Sequence, residues 1–326
     1  MPENRYPAVP GQSRQPRRGQ EHFAAPLDEG GLGAVDAVDT REKPSSLWRD
    51  AWLAMRVNPL FWVAGAIILV VVTVAAFPQL FTSLDPRLSC SLANAYGPPQ
   101  AGHIFGFDHQ GCDIYTRVIY GARASVIVGV LSTALVVVFG TLVGAIAGYF
   151  GGLFDTLLSR LTDIFFAVPL VLAAIVIMSL APSRTTVTVA LVLAAFGWTQ
   201  IARITRGSVL SVKNNEFVTA ARSLGMGKAG ILVKHVLPNS AAPIIVYATV
   251  ALGTFIVAEA TLSFLGIGLP PSVVSWGGDI SQYQRAIRVQ PEIIFYPAAG
   301  LALTVLGFIM MGDVVRDALD PKARKR

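Results

Sequence analysis

Apolar residues in this chain fall in long blocks. Six of them are extended enough to cross a bilayer as helices, at 60–80, 124–149, 164–181, 186–203, 241–265 and 292–312. The expected fold class is therefore an all-α membrane protein with six transmembrane helices. The third block is short and contains Pro169, which a span tolerates where neighbouring helices satisfy the freed carbonyl. The second carries Gly140, Gly144 and Gly148, spaced by four, a stripe that lets another helix approach closely.

The polar stretches divide the rest. Residues 1–45 are rich in Pro, Gly, Gln and charge and lack apolar periodicity, so they read as a disordered tail. Residues 46–59 read as a helix with Trp48, Trp52 and Met55 on one stripe and Arg49 and Arg56 beside it, suited to the inner membrane surface. Three regions follow: the 1–45 tail, a 46–123 region with the interfacial helix, first span and a long external loop, and a 124–326 core.

Composition agrees with the blocks. Of 326 residues 53% are hydrophobic and 14% charged, against about a quarter charged in soluble domains; the mean hydropathy is +0.57. The net charge of +6 does not indicate nucleic acid, because the bases cluster beside spans rather than in a stripe among exposed aromatics. Arg41, Lys43, Arg49 and Arg56 precede the first span, and "RDALDPKARKR" follows the last. Both ends are expected in the cytoplasm, which requires an even number of spans and places the 204–240 segment inside as well. That segment holds Arg206, Lys213, Arg222, Lys228 and Lys234. The first apolar block begins too deep for a cleaved secretory signal, so the first span is expected to insert uncleaved.

Within 204–240, Phe217, Ala220, Ala221 and Leu224 form the apolar stripe of a short helix, with Glu216 near its start. Gly225 fits the left-handed position that ends a helix. A second short helix is expected from Lys228 to Val236, stopped by Pro238. This helix–glycine–helix unit reads as a docking surface, basic and small on its exposed face, for a soluble partner. The alternative is a loop that rests its bases on lipid headgroups.

Cys90 and Cys112 share the first external loop, where oxidising conditions permit a disulfide; two unrelated thiols is the other reading. Glu259 lies in the outer half of the fifth span, as a pathway or gate residue or as a buried structural acid. Asp155, Arg160 and Asp163 flank the start of the third span, with Arg160 and Asp163 spaced to pair; a structural role at a cytoplasmic gate is expected of them. No metal site is expected, and no phosphate-cradling loop, H-E-x-x-H or G-x-S-x-G is present, so no catalytic residue is assigned. An ion-coupled secondary transporter is disfavoured by the lack of an internal repeat and of many intramembrane charges. A membrane-embedded protease is disfavoured by the lack of a nucleophile–base set.

Several motifs in order resemble one family. Ala220, Ala221, Gly225, Leu237 and Pro238 are spaced as in the EAA loop of ABC-importer permeases, with Thr219 at the usual Glu position and His235 at the usual Ile. "FGFDHQGCDIYTRVIYGARAS", "GYFGGLFDTLLSRLTDIFFAVP", "AEATLSFLGIGLPPSVVSWG" and "RDALDP" are similar to stretches of the C-type permeases of bacterial dipeptide/oligopeptide importers. The resemblance spans about residues 46–321. It implies a type I ABC-importer permease fold and a non-catalytic subunit in the bacterial plasma membrane. Implied partners are a B-type permease, two cytoplasmic ATPase subunits that bind ATP and Mg, and an external substrate-binding protein. The 216–238 loop would receive ATPase closure, and substrate would cross by alternating access. Peptides are the implied substrate, with nickel chelates, glutathione or haem carried by related importers.

Overall fold

The computed structural model describes residues 47–319. The expectations for the 1–45 tail and for the last residues of the C-terminal motif lie outside them. The described residues are helical throughout, apart from connecting turns and two isolated bridges.

Helix α1 (Leu47–Val57) turns at Asn58 into α2 (Pro59–Ala76). Asn58 caps α2 by accepting from the Leu60 amide, and Pro59 sits at the first helical position, where no amide partner is needed. In α1, Ala51 and Met55 pack against the end of the last helix, while Trp48 and Trp52 are exposed.

The α2–α3 connection carries short turns and a sulfur–sulfur bond between Cys90 and Cys112, whose Cα atoms are 4.1 Å apart. In one of its turns the Leu88 and Arg87 amides donate to Asp85, which lowers that carboxyl below its ordinary value.

Helix α3 (Ile114–Phe150) begins ten residues before the expected 124. Asp113 caps it by accepting from the Thr116 amide. Its first turns are polar and include the buried Arg117, which is why hydropathy alone misses them. The expected third span, 164–181, is not one helix. Helices α4 (Gly152–Phe166) and α5 (Leu170–Leu180) meet at a 78° bend. Pro169 has no amide to donate and restricts Val168, so the chain breaks rather than continues.

Helix α6 (Thr186–Val212) runs nine residues past the expected 203. Short helices α7 (Glu216–Ser223), α8 (Lys228–Ile231) and α9 (Leu237–Asn239) lead to α10 (Ala241–Phe264). Helices α11 (Trp276–Tyr283) and α12 (Phe295–Leu319) complete the described chain. Among the described residues, five helices are long and apolar enough to cross a membrane, and the bent α4–α5 pair makes six if it counts as one span.

The centre is the α3–α6 pair. A Cβ on Gly144 would lie 2.3 Å from the Ala202 carbonyl oxygen, and one on Gly140 would overlap Ile201. Only hydrogen on these α-carbons permits such contact. Around the pair, α10 adds Ala251, Phe255, Ala258 and Leu262 to the main apolar core.

Candidate functional site

Residues 213–240 link two spans and form a folded hairpin. Helix α7 ends at Gly225, whose φ is +82°, a value costly for any residue with a side chain. The Met226 amide bonds to the Ala221 carbonyl and the Gly225 amide to that of Arg222. These two bonds are the Schellman pattern, which satisfies carbonyls the helix would leave open.

The return strand of the hairpin differs from expectation. Pro238 does not stop it: the chain continues from α8 through a π-helical turn, Leu232–Val236, into α9. The wider turn is the local answer to a proline that cannot donate. Asn239 donates its side-chain amide to the His235 carbonyl at 2.7 Å, and the Ser240 amide reaches Val236 at 3.0 Å.

The hairpin is also rotated relative to the expected stripe. Val218 and Ala221 face inward with Ile231, Leu232 and Val236, packed on Ala145 of α3 and Val209 of α6. Half-buried Leu237 joins that cluster. Of the expected stripe only Ala221 is buried; Phe217 is 40% exposed and Leu224 88%. Val218 supplies the inner contact because the β-branched side chain sits where α6 passes. The outer face keeps the expected bases Arg222, Lys228 and Lys234 exposed and adds an apolar patch at Phe217, Leu224 and Met226, with Glu216, Thr219, Ala220 and Pro238 exposed around it.

Beside the hairpin, a second cluster joins α4 to α6. Arg206 holds Asp155 with two bonds, Nε at 2.5 Å and Nη2 at 2.8 Å. Arg203 reaches Asp163 at 2.8 Å and lies 3.9 Å above the Phe166 ring. The expected Arg160–Asp163 pair is looser, at 4.0 Å, with Arg160 facing outward. Lys213 donates to the Gly148 carbonyl at 2.7 Å, where α3 ends. A cavity of about 430 Å³ lies between α3, α4 and α6, with Ser159, Thr162 and both arginines in its wall. The sequence marks Arg206 only as a base of the 204–240 segment and does not single out Arg203, because their partners are 51 and 40 residues away.

Glu259 is in neither cluster. It is fully buried in α10, its Oε1 accepting from Ser263 at 2.7 Å, with the Ser125 and Ser275 hydroxyls nearby. Ser275 caps α11 and Ser125 belongs to α3, so the carboxyl sits where three elements meet. Near it in the fold, Arg117 is buried between Asp108 and Asp279, bonded to Asp279 of α11 and 3.7 Å from Asp108. Trp276 Nε1 donates to the Val118 carbonyl at 2.9 Å. Asp108 and Arg117 both fall within the stretch "FGFDHQGCDIYTRVIYGARAS", but the pairing of Arg117 with Asp279 spans 162 residues and has no local signal in the sequence.

Among the described residues no group of His, Cys, Asp and Glu side chains could hold a metal ion. Comparison with known proteins shows the family. Residues 140–325 match the family model for binding-protein-dependent transport system inner membrane components, and residues 46–99 match the N-terminal transmembrane domain of oligopeptide transport permease C. The chain is 39% identical to the oligopeptide transport system permease protein OppC of Bacillus subtilis, covering 90% of this chain and 95% of the relative. It is 40% identical to the dipeptide transport system permease protein DppC of Alkalihalophilus pseudofirmus, covering 86% and 91%. It is 34% identical to the glutathione transport system permease protein GsiD of Escherichia coli O157:H7, covering 85% and 91%. In fold it is similar to a chain of the MetNI methionine ABC transporter in an inward facing conformation, with a TM-score of 0.51, 17% identity, and coverage of 64% of this chain and 98% of that one. By its sequence relatives and its helical architecture, the chain belongs to the family of binding-protein-dependent transport system inner membrane components and is a multi-pass ABC-importer permease.

Proposed function

We propose that this permease carries di- or oligopeptides into a bacterial cytoplasm by alternating access, driven by ATP that partner chains hydrolyse. The observation that carries the coupling role is the exposed apolar face of Phe217, Leu224 and Met226 on a hairpin whose other face is firmly packed. A soluble surface seldom leaves such a patch uncovered, and a rigid knob is suited to a groove in an ATPase subunit. Two such subunits, a B-type permease and an external substrate-binding protein complete the proposed assembly. Closure of the ATPases would press the hairpins together and open the permease pair outward; hydrolysis would reset it. Both termini and the 204–240 segment are then cytoplasmic, in accord with their Lys and Arg excess. In the hairpin, Glu216 takes over part of the role of the glutamate that Thr219 replaces, from one turn earlier.

Peptide is the proposed cargo because the OppC and DppC relatives share about two residues in five with this chain over most of its length. The GsiD relative favours glutathione, itself a tripeptide, as the second reading. Leu224→Asp provides the test. The variant should fold as the wild type does in detergent, yet lose co-purification of the ATPase subunits and ATP-dependent uptake of labelled trialanine. Retained co-purification and uptake would refute the coupling role.

A further inference from the structure

Apolar packing holds α4 only lightly. Thr162 is its one buried residue, with Leu158 and Phe165 half-buried against the core. Charge supplies the rest. Asp155 and Asp163 lie eight residues apart, about 12 Å along the helix, and are met in reverse order by Arg206 and Arg203 of α6. Two attachments fix the angle of a helix as well as its position. The Asp155–Arg206 contact is bidentate, with Asp155 24% and Arg206 38% exposed, so it is both directional and partly shielded from salt. The Asp163–Arg203 contact is more open, but the stacked Phe166 steadies the guanidinium at the last residue before the bend.

Each end of this linkage leads somewhere. Helix α6 passes into the 216–239 hairpin through three residues, 213–215, and the hairpin packs on Val209 of α6. Helix α4 ends at the 78° break before α5. The α3–α6 pair is locked by backbone contact at Gly140 and Gly144, whereas the cavity between α3, α4 and α6 leaves α4 room to shift.

We infer that Arg203 and Arg206 are positioning residues that convey displacement of the hairpin, through α6, to α4 and the bend at Ala167–Pro169. The inference rests on the ATP-coupled reading above. An apolar contact would slip under such a displacement; a forked guanidinium bound to a carboxylate resists sliding and rotation together.

The test compares Arg206→Asp, Asp155→Arg and the double exchange in the fully assembled importer, reconstituted in liposomes with labelled trialanine. Each single exchange should leave ATPase association intact and ATP hydrolysis within about twofold of wild type, and should lower peptide moved per ATP at least tenfold. The double exchange should restore at least a third of the wild-type ratio. Normal transport by the single variants, a parallel fall of hydrolysis and uptake, or a double exchange no better than the singles would overturn the inference. If Arg206→Asp does not assemble, Arg206→Gln keeps length and polarity and must still lower the ratio at least threefold; an unchanged ratio overturns it equally. A wild-type assembly that moves no trialanine, or moves it without ATP, refutes the transport reading itself, separately from the role of the arginines.

Discussion

Gly144 and Ala202 bring two spans into backbone contact: a single Cβ added to Gly144 would come within 2.3 Å of the Ala202 carbonyl oxygen and 2.8 Å of Thr205 Cβ. Neither neighbour can yield without moving α6. Gly144→Val should therefore lower stability by roughly 1–3 kcal/mol or more through overpacking. Thermal unfolding of the purified chain in detergent checks this, and a midpoint equal to wild type would contradict the close approach.

Gly225 presents the opposite case. Nothing lies within 4 Å of an added Cβ, so only its φ of +82° resists a side chain. Gly225→Asn should retain ATP-coupled uptake, because Asn adopts the left-handed region readily. Gly225→Val should lose most coupling while leaving the spans folded. Equal uptake by the two variants would remove the turn from the coupling mechanism.

Glu259 is caged by hydroxyls rather than by a base. Glu259→Gln keeps the shape and can still accept from Ser263, so its unfolding midpoint should stay within a few degrees of wild type. Glu259→Ala leaves a cavity and removes the acceptor of the Ser263 hydroxyl, which keeps only the bond it accepts from the Leu269 amide, and should cost about 2–4 kcal/mol. Equal midpoints for the two variants would show that the cage contributes nothing.

Cys90 and Cys112 should resist maleimide in native membranes until a reductant is added, since they are bonded to each other. Replacing both with Ser should cost on the order of 3 kcal/mol by loss of the loop constraint. Ready labelling of both thiols in unreduced membranes would contradict the bond.

Much of this fold was legible in the pattern of residues, and the exceptions share a cause. The apolar blocks located α2, α10 and α12 to within several residues, because hydropathy over about 20 positions is a property of the segment itself. The Gly140–Gly144–Gly148 stripe announced a close partner without naming α6. The break at Pro169 was hidden inside an apolar run, where a proline can be absorbed or can divide the helix according to what surrounds it. Arg203 and Arg206 look like ordinary bases at a span end until α4 folds beside them. In α7 the choice between burying Val218 and burying Leu224 depends on where α6 and α8 lie, and a helix of eight residues carries too little periodicity to decide it.

The π-helical turn ahead of Pro238 has a mechanical consequence. From Lys228 to Phe264 the chain stays helical, interrupted only at Ser240, a turn residue with φ −95° and ψ 0°. Some 31 residues separate Lys228 from Glu259, about 45 Å of helical rise, comparable to a bilayer with its headgroups. A slack linker in that place would absorb a push applied at the hairpin. Under the proposed coupling, a helical path broken only at Ser240 would instead carry that push along α10 toward Glu259, which Ser263 holds.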